Sequence, residues 1–149
     1  MSLSLKCQYA VRALFELARR KSNGTITIGE IARAQGIPAR FLEAILTELK
    51  HGGFVESRRG VNGGYRLARS AATISLGQII RFVEGPLAPV DCLAEKRTAP
   101  CDLRERCVIQ YVWARARDAL ANVYDTTTLQ DLVEREEQIG ARDMLSYSI

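Results

Sequence analysis

Apolar residues return every three or four positions at the start of the chain, at Tyr9, Ala10, Ala13, Leu14, Leu17 and Ala18. That spacing predicts an amphipathic helix over about residues 4–20 with one core-facing stripe. Asn23-Gly24 interrupts it. Thr27-x-x-Glu30 then has the form of a capping box, in which the threonine side chain takes a free N–H of the first turn and the glutamate reaches back to the cap. The short helix it opens carries Ile28, Ile31 and Ala32 and stops at Gly36. Pro38 suits the start of the next helix, where its missing N–H costs nothing. Over about residues 38–51, Phe41, Leu42, Ile45, Leu46 and Leu49 form one face, and Ala39, Arg40, Glu43, Thr47 and Lys50 the other. Two short helices around a tight glycine-containing turn, the second polar on its outer side, have the pattern of a helix-turn-helix.

The pattern then changes. Residues 54–57 and 65–67 read as brief strands on either side of Arg58-Arg59-Gly60-Val61-Asn62-Gly63-Gly64, a basic, glycine-rich hairpin placed as a wing. Ser75-x-x-Gln78 opens a helix with Leu76, Ile79, Ile80 and Val83 inside, closed by Gly85-Pro86. Residues 86–106 lack a period. From residue 107 to about 124 a long helix is expected with two adjacent stripes, Val108-Val112-Ala119-Val123 and Ile109-Trp113-Ala116-Leu120-Tyr124. So broad an apolar side predicts packing against both its own domain and a second subunit, with Val112, Trp113, Ala116, Leu120 and Val123 at the contact. Thr128-x-x-Asp131 caps a last short helix with Leu129, Leu132 and Val133 inside, and residues 134–137 read as a solvated charged tail. The expected fold is mainly α: a winged helix-turn-helix with a small β-hairpin wing and a long C-terminal dimerisation helix. It divides into a DNA-binding domain at 1–85, a cysteine-containing sensor loop at 86–106, and the dimerisation and C-terminal helices at 107–149.

Charge sharpens this division. The formal net charge of +4 over 149 residues is split, with residues 1–85 holding 13 Lys or Arg against 6 Asp or Glu, and residues 86–149 holding 8 against 11. The front is the part suited to a polyanion. No stretch approaches the roughly 18 apolar residues of a membrane span. The first 20 residues lack a signal-peptide pattern, so a cytoplasmic protein with no membrane partner is expected. Enzyme chemistry finds no support: no histidine lies near the cysteines, and there is no phosphate loop before a helix and no isolated acidic pair.

For DNA, the early residues of the second short helix are those nearest base edges. Pro38, Ala39, Arg40 and Glu43 stand there, with Arg40 a donor to guanine and Glu43 an acceptor from cytosine, and Thr47 and Lys50 lie toward the phosphates. Surface charge alone also accounts for Arg40 and Glu43. Arg58 and Arg59 at a hairpin tip point to phosphate or minor-groove contact, with Asn62 and Tyr65 secondary. Cys92, Cys101 and Cys107 fall within 16 residues, without the close pairs of structural zinc sites. Three soft thiolates suit an iron–sulfur cluster, leaving a zinc site, a cluster-free thiol switch and unused thiols as alternatives. Cys7, on an apolar helix far away, reads as a buried thiol.

These stretches together resemble the Rrf2 family of winged-helix transcription regulators. The resemblance is carried by LSLKCQYAVRALFELA at 3–18, the run from Ile28 through RGVNGGYRLAR at 59–69, ISLGQIIRFVEGPLAP at 74–89, the three cysteines, and TTLQDLV at 127–133. It implies a homodimeric regulator, expected to be a repressor, that binds palindromic double-stranded operator DNA. It also implies a [2Fe-2S] or [4Fe-4S] cluster on Cys92, Cys101 and Cys107 that senses iron, redox state, nitric oxide or cluster status. Where one branch of the family has a histidine as fourth ligand this chain has Gln110, which leaves Gln8 or Cys7 as candidates and implies a labile cluster that aerobic preparation can strip. A thiol-switch or metabolite-responsive regulator, and a winged helix that binds proteins, remain the alternatives.

Overall fold

The computed structural model describes residues 2–20, 24–93, 101–103 and 106–146, with side chains up to residue 141. Ser4 caps the first helix, α1 (Leu5–Arg19), its hydroxyl accepting the Cys7 N–H at 3.1 Å. The Thr27–Glu30 capping box forms in both directions at the start of α2 (Ile28–Gln35), which ends on Gly36 in the left-handed conformation at φ +59°. Pro38 occupies the cap of α3 (Ala39–His51). A second reciprocal box, Ser75 with Gln78, opens α4 (Leu76–Glu84). The long helix α5 spans Ile109–Thr126, two residues later at each end than the apolar spacing suggests. Thr128 and Asp131 then cap each other: the Thr128 N–H donates to Asp131 Oδ2 at 2.7 Å, and the Asp131 N–H to Thr128 Oγ1 at 3.2 Å.

The last helix corrects one expectation. α6 (Leu129–Ser146) is 18 residues long, not short, and the charged segment at 134–137 is part of it. Its exposed turns rest on helix-forming residues and local pairs such as Gln130 with Glu134 at 2.9 Å. α6 had been grouped with the dimerisation helix, but it also lends Leu129 to the core built by the front of the chain. Arg19 on α1 pairs with Glu136 at 3.0 Å, fastening the two helices from outside.

That core joins Ala10, Ala13, Leu14 and Leu17 of α1 to Ile31 of α2, Leu42, Ile45, Leu46 and Leu49 of α3, and Ile79 of α4. Glu16 is wholly buried within it and fully engaged: Arg20 Nε lies 2.7 Å from one carboxylate oxygen, and Gln35 Nε2 donates to the other at 2.8 Å. This polar tie fixes α2 against α1. One predicted core residue is absent: Phe41 is 48% exposed, because at the first turn of α3 its ring faces away from α2 and α4 toward an open groove beside α1.

The wing is an antiparallel hairpin of β1 (Val55–Arg58) and β2 (Gly64–Leu67), with Val55 opposite Leu67 and Arg58 opposite Gly64. Its outer edge is not free. Ile26 exchanges both backbone hydrogen bonds with Tyr65, at 2.9 and 2.8 Å, making a one-residue third strand. Gly64 permits this approach, since a Cβ there would stand 2.5 Å from the Ile26 carbonyl oxygen.

Candidate nucleic-acid interface

Helix α3 presents Ala39, Arg40, Glu43, Thr47 and Lys50 to solvent, while its other side is sealed in the core. The sealed side fixes the helix axis, so the outward residues are held on a rigid support. Pro38 is exposed at the cap, ahead of the first turn. Thr47 turns its hydroxyl proton back to the Glu43 carbonyl at 2.9 Å. Lys50 Nζ donates to Ser57 Oγ at 2.7 Å, which ties the end of α3 to the first wing strand. The reading helix and the wing are therefore joined directly, through a serine that sequence reasoning passed over.

In the wing, Arg58 ends β1 and Arg59 follows it, both exposed. Asn62 is exposed as well, and its carbonyl accepts the Thr25 hydroxyl at 2.7 Å. Thr25 thus pins the hairpin tip just as Ile26 pins its edge. These contacts span 37 residues, so no local pattern could have announced them. Tyr65 is half-buried and packs against the core, while Arg66 pairs across the hairpin with Glu56 at 3.1 Å. The unpaired cations at the wing are the tip arginines, and a pinned hairpin carrying them is a preorganised contact for phosphates or a narrow groove.

The cysteines fall into two unlike settings. Cys7 is completely buried against Ile80 and Leu87, and burial, then the neighbouring Glu84 charge, pushes its thiol up to about 11. Glu84 itself is held below the usual carboxylate range by hydrogen bonds from Ser4. A thiol this reluctant to ionise is a poor metal ligand. Gln8 is exposed, with its amide nitrogen on the Leu3 carbonyl at 3.0 Å. Cys92 lies half-buried in a 3-10 turn at Asp91–Leu93, Cys101 is exposed, and Cys107 is half-buried just before α5. All four thiols are free. The loop thiols have the right donor chemistry for a cluster but not its arrangement: among the described residues no three Cys, His, Asp or Glu side chains come close enough to share a metal ion. Part of the expected sensor loop, 94–100 and 104–105, lies outside the described residues.

α5 completes the picture. None of its residues is buried, and Ile109, Val112 and Val123 are 54%, 54% and 56% exposed, with Trp113 at 39% and Ala116 and Leu120 half-covered. Its C-terminal end is anchored, since Arg81 of α4 forks onto Asp125 and lowers that carboxyl below its ordinary range. Among the described residues, no helix is long and apolar enough to cross a membrane.

A profile of the Rrf2 family, described as iron-dependent transcriptional regulators, matches residues 3–135. The HTH-type transcriptional regulator CymR of Bacillus subtilis is 36% identical over 132 residues, covering 89% of this chain and 89% of its own. The solved structure of that global cysteine regulator superposes with a TM-score of 0.75 at 32% identity, over 91% of this chain and 98% of the other. The structure of T. potens IscR gives the same TM-score at 31% identity, over 93% and 90%. The winged fold, the nearly full-length match and the agreement with two solved relatives lead to one statement: the chain belongs to the Rrf2 family of DNA-binding transcriptional regulators, which are not enzymes.

Proposed function

We propose that this protein binds palindromic operator DNA as a homodimer and represses transcription by occupying it. The observation that carries the reading is the pairing of a rigidly backed α3, polar on its outer side, with a basic hairpin pinned at tip and edge. Arg40 and Glu43 are the base-reading candidates, with Pro38, Ala39, Thr47 and Lys50 alongside, and Arg58, Arg59 and Asn62 supply the wing contact. The dimer rests on the apolar seam of Val112, Trp113, Ala116, Leu120 and Val123, which one chain leaves open. Two-fold symmetry in the protein would then match two half-sites about one helical turn apart. The test is binding to fragments that include the protein's own promoter, across a salt series. Affinity for one fragment that falls steeply with salt supports the reading, because phosphate contacts release counterions. Weak, salt-indifferent binding to every fragment would favour a protein-interaction module.

For the signal, the donor set of Cys92, Cys101 and Cys107 supports an iron–sulfur cluster, with a fourth ligand still to be found. Anaerobic reconstitution with iron and sulfide should then yield bound metal in the wild type and lose it in Cys101→Ala. A second reading is favoured by the free, ungathered state of the same thiols: a switch in which two of them oxidise to a disulfide. Absence of iron and sulfide after reconstitution would leave that switch as the account of the loop.

A further inference from the structure

Phe41 lies within the apolar spacing of α3, yet it is 48% exposed while Leu42 beside it is completely buried. A large ring half in water at the first turn of a reading helix is not explained by core packing. One side of it lines a shallow apolar groove between α1 and α3, together with Leu5, Tyr9 and Ala44. Over the ring stands the Arg40 guanidinium, its central carbon 4.8 Å from the ring centroid. This is the shortest of the four arginine–ring contacts among the described residues, the others being 5.4 to 5.8 Å. Among those residues Arg40 has no ion pair or side-chain hydrogen bond, so the ring is what holds it.

The negative face of an aromatic ring attracts a guanidinium and leaves the edges of its planar fork free to donate. An arginine that must be ordered on binding gives up side-chain entropy at that moment, and one already restrained gives up less. We propose that Phe41 is a positioning residue for base reading: seated at the groove, its ring holds the Arg40 guanidinium at the start of α3, ready for a guanine edge. This rests on the DNA-binding reading above, and it adds the residue that sets how sharply Arg40 discriminates.

The experiment has two arms. In free protein, the Arg40 δ-methylene protons should be shifted upfield by the ring current in wild type and in Phe41→Tyr, and should lose that shift in Phe41→Leu, which keeps an apolar filler in the groove. With DNA, an operator is first selected from random duplexes by the wild type. Affinities of wild type, Arg40→Ala, Phe41→Leu and Phe41→Tyr are then measured on its single-base variants. Arg40→Ala should abolish discrimination at one position in each half-site. Phe41→Leu should weaken discrimination at that same position by roughly two- to fivefold, leave other positions unchanged, and add nothing to Arg40→Ala. Phe41→Tyr should match wild type. Unshifted Arg40 methylenes, an equal loss at every position in Phe41→Leu, or no loss at the Arg40 position would overturn the proposal while leaving operator binding intact. A wild type that selects no DNA would instead contradict the functional reading itself, and this proposal with it.

Discussion

Helices α3 and α5 carry apolar residues at the same three- and four-residue spacing, but α3 hides Leu42, Ile45, Leu46 and Leu49 inside its own chain, whereas α5 buries no residue at all. The difference separates two meanings of one pattern. On α3 the stripe is answered by α1 and α2, so the helix becomes a fixed support for its outward polar residues. On α5 the seam through Ile109, Val112, Trp113 and Val123 stays in water, although each such side chain gains about 1.5–3 kcal/mol when fully buried. An apolar stripe thus states that something must cover it, and not whether the cover lies in the same chain.

Substitutions can break this comparison at either end. Leu46→Ala should lower stability by about 2–5 kcal/mol through a cavity that α3 and its neighbours cannot close, seen as a drop in unfolding midpoint at every protein concentration. Val112→Asp should leave the single chain as stable as before, since Val112 touches mostly solvent there, but should cost the dimer about 1.5–3 kcal/mol per chain. Light scattering at micromolar concentration would then report a monomer in place of a dimer. Arg59→Ala removes an exposed cation from the wing. The unfolding midpoint should not move, and the slope of log affinity for operator against log salt should become shallower by about 1.

A smaller effect sharpens the same contrast between sealed front and open back. Cys7 should resist alkylation in the folded protein, while Cys92, Cys101 and Cys107 react, and unfolding should release the fourth thiol. The folded state raises the Cys7 pKa to about 11, so it favours the protonated thiol. That contribution is complete below the ordinary thiol range and is lost as pH climbs through it toward 11. Stability of the wild type should therefore fall more steeply between about pH 9 and 11 than that of Cys7→Ala, as read from urea midpoints.

The sequence was most legible where the physics is local. Thr27 with Glu30, Ser75 with Gln78, and Thr128 with Asp131 each mark a helix start correctly, because a capping box is complete within four residues. The length of α6 was hidden because its exposed turns lack an apolar period and are held by helix propensity and charge pairs. The pinning of the wing by Thr25 and Ile26 was hidden for the opposite reason, as it joins residues far apart in the chain. Phe41 reads as core by spacing alone, since spacing does not register that the first turn of α3 projects past its neighbours. For the cysteines, the sequence shows which thiols are near in the chain, and nearness in the chain did not gather them in space.

The account stands on a rigid reading unit presented twice by an unfinished helix seam. The most direct test is the mass, by light scattering, of the complex formed on a palindromic duplex selected by the wild type. The account predicts two chains per duplex for the wild type and no complex of that mass for Val112→Asp under the same conditions. One wild-type chain per duplex, or an unchanged two-chain complex with Val112→Asp, would contradict it.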